Sequence, residues 1–365
     1  MLVGAALFVA PALSAVQSAA PSSLVVDDSA VAEDTTWTLP GGVEFPTMLM
    51  NTADLSAEQI ELAVQLGVSK GLRGVDFHLG PNEAGARERE GVTRAIASVG
   101  RDALFLTTKL DKPPANLTDA SEAAALARTT LDSELLALGD NSTIDLLLLK
   151  DSASCEVMQA QWAVLEEMLA TGRARALGMY NFCEFSLSCV LATATTPPAI
   201  NFIMRHVGMG PDATGLIAYN REHGVRTGTY GLLGEPVALA YVLMNPALRQ
   251  IARSHGRTVE DVALRYNVQA GYAVSSRITA DYAPLNTPTG SQCSADCDAA
   301  LTAMSRVHTW RLRPAEVRTL DAMRLGGFPQ SPTYYSSAGC AGSFATVSHP
   351  NISACNASAR LSTWC

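Results

Sequence analysis

Two lysines stand at the ends of apolar runs, Lys109 in LFLTTKL and Lys150 in IDLLLLK, the latter followed by Asp151. Burying an unpaired ammonium is costly, so a lysine in such a place marks a point where charge is wanted. Lysine is otherwise scarce: Lys70 and Lys112 are the only others among 26 basic residues. GVDFHLGPNE adds Asp76, with His78 two residues on. Asp76 is placed to pair with one of the two lysines, and such a pair shifts proton affinities and makes a catalytic or anion-binding site. The plainer alternative is an ion pair that closes the mouth of a fold. Neighbouring ammonium groups also depress each other's proton affinity, which is the condition for Schiff-base chemistry at Lys109 or Lys150.

These residues need elements to hold them. From residue 43 to 323 the chain repeats a short apolar run, a loop and a longer amphipathic stretch. Strands are predicted at 45–49, 72–76, 103–108, 144–149, 175–179, 199–203, 225–229 and 272–275. Helices are predicted at 56–70, 83–98, 119–138, 156–171, 184–194, 213–223, 246–255 (or on to 267) and 297–306. Ala120, Ala124, Ala127, Leu131, Leu135 and Leu138 recur three or four apart, the period of a helix with one buried face. IDLLLL is apolar at nearly every position, as a parallel strand buried on both faces requires. Eight such units in about 280 residues predict an α/β protein, a (β/α)8 TIM barrel. A doubly wound sheet is the rival, but no strand is followed by a GxGxxG or GxxxxGK loop. In a barrel, chemistry sits just past the strands. Those positions carry Asp76 and His78, Lys109, Lys150, Tyr180 and Asn181, Asn201 with Arg205 and His206, Tyr230, and Ser275, Ser276 and Arg277.

Composition narrows the class of partner. Hydrophobic residues make up 48% and charged ones 17%, and 26 basic against 35 acidic side chains leave a charge of −9. That is too apolar for a disordered chain and too acidic for a protein that binds nucleic acid by neutralising phosphates. Residues 1–20 carry no charge, and their apolar stretch, LVGAALFVAPAL, is short for a membrane span of roughly 20 residues. Small residues follow it, as in a cleaved signal peptide, which leaves no membrane span in the mature chain. Five of the eight cysteines (Cys293, Cys297, Cys340, Cys355, Cys365) lie near the end of the chain. The CxxxC pair lacks a second pair or a histidine pattern, which argues against zinc. The rest reads as a Cys-rich, irregular, disulfide-bearing C-terminal extension over 324–365. Asn116, Asn141, Asn351 and Asn356 begin glycosylation sequons. Together these features predict the secretory pathway or an extracellular location; a cytoplasmic protein with free thiols is the alternative.

Over residues 41–323 the chain resembles the aldo-keto reductase family. GVEFPTMLMNT resembles its opening strand, GLRGVDFHLGPNEAGARERE its second unit, LFLTTKL the strand with the catalytic Lys, and IDLLLLK a strand that normally ends in His. GRARALGMYNF, PPAINFIMRH and EHGVRTGTYGLLG resemble three cofactor-binding segments, and TVEDVALRYNVQ through RLRPAEVRTLDAM the closing units. The resemblance implies a barrel in which Asp and Lys lower the proton affinity of a Tyr, NADPH delivers hydride to a carbonyl, and a His orients the substrate. Asp76 and Lys109 match the Asp and the Lys; the Tyr position falls at Gly80 and the His position at Lys150, so the tetrad reads as degenerate. For the cofactor NADP, Asn181 matches a carboxamide ligand, with Tyr180 and Phe202 in place of its Ser and Gln partners. Tyr230 matches the residue that stacks on the nicotinamide, Ser276 and Arg277 the phosphate clamp, and Asn286 an adenine-side Asn. Leu49 and Asn51 replace two family glycines, and Tyr282 a later Arg. The resemblance therefore implies an oxidoreductase that reduces a small aldehyde or ketone with an altered proton donor, Tyr180, His78 or Lys150. The alternative is an inactive barrel kept as a binding or structural module for a protein partner.

Overall fold

The structure, a computed structural model, describes residues 35–80, 82–139, 143–234, 239–278 and 295–324, together with residues 332, 333, 336, 338 and 340. The expected signal peptide, Tyr282, Asn286, Cys293, Cys355 and Cys365 lie outside these residues.

The chain opens on an antiparallel hairpin, β1 (Thr36–Leu39) and β2 (Val43–Pro46). Eight parallel strands follow: β3 (Met48–Asn51), β4 (Gly74–Asp76), β5 (Phe105–Leu110), β6 (Ile144–Lys150), β7 (Ala174–Tyr180), β8 (Ile200–Met204), β9 (Arg226–Tyr230) and β10 (Ala273–Arg277). They pair in sequence order, and β10 pairs with β3 to close the barrel. Between them run α1 (Ala57–Ser69), α2 (Glu83–Val99), α3 (Ala120–Ala137), α4 (Cys155–Ala170), α5 (Glu184–Leu191) and α6 (Leu216–Glu222). Next come α7 (Leu239–Met244), α8 (Pro246–Ser254) and α9 (Val259–Gln269), and after β10 come α10 (Ala295–Arg306) and α11 (Pro314–Ala322). Several helices begin on a residue suited to cap them. The side chains of Ser56, Asn82, Asp119, Ser154, Asn245 and Thr258 each accept a first-turn N–H, which satisfies donors that otherwise have no partner in the helix.

The predicted strand 45–49 is corrected: a break at Thr47 divides it between β2 and β3. The hairpin was not foreseen, and it plugs the barrel. Trp37, Leu39, Val43 and Phe45 join the inward-facing Leu49, Phe105, Leu146, Leu148, Ile200 and Phe202 in one apolar cluster. Phe45 meets Phe105, the first residue of β5, edge to face at 5.4 Å between centroids. The helix predicted at 246–255 forms as α8, and only its alternative extension to 267 is corrected: α9 is a separate helix, capped by Thr258.

Side chains alternate along each strand, as a period of two demands. Leu146 and Leu148 point into the barrel, whereas Leu147 and Leu149 pack outward against the helices. The inner layer mixes large and absent side chains: a Cβ at Gly228 would come within 2.5 Å of the Phe202 ring. Below the C-terminal rim the barrel is therefore filled, and the polar side chains lie above this plug.

Part of the C-terminal extension is anchored on that rim. Met204 N–H donates to Pro332 O at 2.9 Å, and Asp151 accepts from Ser336 Oγ and, at 2.9 Å, from Ala338 N–H. A disulfide joins Cys183, just past β7, to Cys340, and another joins Cys155 to Cys189 between α4 and α5. Cys297 is also disulfide-bonded. Cross-linking therefore reaches into the barrel and is not confined to the extension.

Candidate active site

The last inward-facing positions of neighbouring strands form a polar ring at the C-terminal mouth. Parity delivers Asn51 from β3, Asp76 from β4, Lys109 from β5, Lys150 from β6, Tyr180 from β7, Tyr230 from β9 and Ser275 from β10. Register makes neighbours of them: Asn51 lies beside Asp76, Lys150 beside Tyr180, and Tyr180 beside Phe202.

At the centre, Lys109 Nζ meets Asp76 Oδ1 at 2.6 Å, and both side chains are essentially inaccessible. Asp76 Oδ2 accepts from Ser275 Oγ and from Asn51 Nδ2, the latter at 3.3 Å. A buried ion pair is tolerable when its remaining hydrogen-bonding positions are filled in this way. Of the two lysines available to Asp76, it holds Lys109. Lys150 bonds instead to Asp111, which directly follows β5. Asp111 was missed in the sequence, although an acid two residues beyond Lys109 at a strand end is the signal that marks it. Gly80 leaves room for this pair: a Cβ there would come within 3.0 Å of Asp111 Oδ2.

Lys109 and Lys150 differ in access. Lys109 is sealed, whereas 18% of the Lys150 side chain remains exposed and lines the cleft above the ring. Burial pushes the Lys150 amine below the ordinary lysine range; Asp111 opposes the shift, and Lys109 and Lys112 add to it. His78 lines the same cleft with its Nδ1 3.2 Å from Glu88 Oε2. Burial, followed by the Lys109 charge, holds the imidazole below its usual range, against the pull of Glu88. Glu88, on α2, was also missed, since a helix residue carries no strand-end signal. Burial alone would raise its carboxyl, but bonds from His78 and Thr52 and the charges of His78 and Lys109 bring it down to about 2.

A pH dependence follows. A carboxyl depressed from its usual 4.5 to about 2 contributes stability that is present above 4.5 and is lost as pH falls towards 2. The contribution is on the order of 3 kcal/mol. Glu88→Gln is therefore expected to unfold at lower denaturant than the parent at pH 7, with the gap closing between pH 4.5 and pH 2–3. A gap that stays constant over that range would refute this.

The cleft has a volume of about 880 Å³. It runs from His78, Lys150, Tyr180 and Tyr230 past Ser275, Ser276 and Arg277 to Arg257, Thr258, Asp261 and Ala303. Its size is that of a pocket able to enclose an extended small molecule. Arg277 is ion-paired to Asp54. Asn181, in left-handed backbone at φ 66°, accepts a hydrogen bond from the Tyr230 hydroxyl through Oδ1. The Tyr180 and Tyr230 rings stack, 4.7 Å between centroids and 16° from parallel. Phe202 lies in the barrel core beneath them. Asn201 turns away, bonding Phe182 O and Asn220. Arg205, between the Tyr266 and Tyr272 rings, and the fully buried His206 do not line the cleft. Among the described residues no cluster of histidine, cysteine and acidic side chains could hold a metal, and no helix is long and apolar enough to cross a membrane.

The aldo/keto reductase family model matches residues 83–280. The chain belongs to the aldo/keto reductase family. An aldo-keto reductase of Mycobacterium leprae is 31% identical over 237 residues, covering 64% of this chain and 77% of that protein. The fold of this family member is similar to that of an aldo-keto reductase enzyme from a Medee basin deep-sea metagenome library, with TM-score 0.65, 20% identity, and 80% and 96% of the two chains covered. It is similar also to a mutant of Gox0644 in complex with NADPH, with TM-score 0.63, 20% identity, and 80% and 94% covered.

Proposed function

We propose that this family member reduces the carbonyl of a small aldehyde or ketone with NADPH, and that Lys150 supplies the proton. The observation that carries the reading is the pairing of a sealed Asp76–Lys109 ion pair with a second, accessible ammonium at the same mouth. The cleft supports the cofactor: Ser276 and Arg277 line its middle, and a guanidinium suits a 2′-phosphate as a bidentate partner. Tyr230 and Asn181, which the family resemblance assigns to the nicotinamide ring and its carboxamide, both line the cleft. When bound, NADPH supplies a hydride to the carbonyl carbon. The protein's own task is the oxygen. Lys150 Nζ donates a proton to it, and burial together with two nearby ammonium groups favours the neutral amine left behind. Asp111 holds that nitrogen in place, and Lys109 contributes a fixed positive charge near the developing oxyanion.

A second reading has its own observation. Tyr230 is already covered by Tyr180, and Asn181 is already bonded to Tyr230, which favours a barrel that binds without redox chemistry. Titrating NADPH into the protein while following tryptophan quenching, with NADH alongside, separates the two. Saturable binding with NADPH preferred is the expected result; no binding at millimolar cofactor would leave the second reading.

We also propose a secretory location. Asn116 is exposed in the loop before α3. Mass spectrometry of the native protein should find residues 1–20 missing and glycan mass at Asn351 or Asn356; an intact chain with eight free thiols would sink this.

A further inference from the structure

Tyr180 makes contacts that a bound ring would otherwise make. Its ring lies face to face with Tyr230, and Lys109 Nζ stands over it 5.2 Å from the centroid. The Tyr230 hydroxyl, meanwhile, takes up Asn181 Oδ1. The stacking face, the ammonium and the amide oxygen are thus engaged by the protein itself. The remainder of the cleft, from Ser276 and Arg277 to Arg257 and Thr258, contains no comparable aromatic stack among the described residues. Among the described residues, position 180 is therefore the one point along the cleft where a side chain stands in for a planar ligand.

We propose that Tyr180 is a self-ligand of the ring subsite: it closes the Tyr230 face, so the barrel engages the nicotinamide half of a dinucleotide only when Tyr180 swings off Tyr230. The proposal rests on the nucleotide reading of the cleft given above and adds a residue that sets both affinity and selectivity within it. A stacked aromatic pair and a cation over a ring must be given up when the subsite opens. The phosphate and adenosine end of the ligand bears none of that cost.

The test compares NADPH with 2′-phospho-ADP-ribose, which lacks the nicotinamide ring, in the full-length protein and in Tyr180→Ser and Tyr180→Phe, by calorimetry. In the parent and in Tyr180→Phe, which keeps the ring, the two ligands should bind within about threefold of each other. Tyr180→Ser should bind NADPH on the order of tenfold tighter, the scale of one aromatic stack, with the ring-less ligand unchanged. If the parent already prefers NADPH by tenfold or more, or if Tyr180→Ser gains nothing while Tyr180→Phe and the parent bind alike, the proposal is overturned and the nucleotide reading stands. If neither ligand binds any of the three proteins, both fall together. Thermal melting of the variants verifies that Tyr180→Ser is folded, and Tyr180→Leu, which also removes the stacking ring but keeps an apolar side chain, carries the same expected gain if it is not.

Discussion

Asp76→Asn is expected to destabilise the fold by ~3–5 kcal/mol, the cost of leaving a buried ammonium without its counter-charge. The carboxylate it removes is the shared acceptor of Lys109, Ser275 and Asn51. An amide in its place offers one acceptor oxygen to three donors and no charge to the first. Lys109 has no route to water, because its side chain is wholly buried at the floor of the mouth. The double variant Asp76→Asn, Lys109→Met removes both charges and should recover much of the loss, since apolar replacements of a whole buried pair are often neutral. Urea denaturation of the three proteins measures this. A single variant within 1 kcal/mol of the parent would show that the pair does not carry the mouth.

The second large effect falls on turnover. Lys150→Met keeps the length of the side chain and removes the donor, so kcat for carbonyl reduction should drop 10²–10⁴-fold, the typical contribution of a positioned acid. NADPH affinity should hardly move, because the loss concerns the substrate oxygen. The acid must be protonated to act. The parent's kcat should therefore fall as pH rises through a value below the ordinary 10.5 of lysine, and that limb should vanish in Lys150→Met. Undiminished turnover in the variant would move the proton to His78 or Tyr180.

Much of this site could be read from the chain. Lys109 and Lys150 follow runs of apolar residues, and the parity of those runs turns both side chains inward with Asp76, Tyr180 and Tyr230. What could not be read was the pairing. Asp76 faced two candidate lysines, and the choice of Lys109 depends on the offset between β4 and β5, in which Asp76 lies opposite Thr107. Glu88 escaped notice because it sits on a helix, where residue type alone does not mark a partner, whereas Asp111, two residues beyond Lys109 at the end of β5, carried a signal that went unused. The hairpin escaped for a different reason: VEFPTMLMN is apolar enough to read as one strand, and only packing of Phe45 beneath the barrel shows the break at Thr47.

The sequence by itself determined the barrel and most of the polar residues that crown its strands. These follow from local periodicity, two residues per repeat in strands and 3.6 in helices, which any short window displays. The tertiary structure alone decided who meets whom. Ser275 reaches Asp76 across 199 residues because β10 closes on β3, and Tyr180 covers Tyr230 across the width of β8. Such contacts are set by closure and shear of the sheet as a whole, a global constraint that no local pattern of residues encodes.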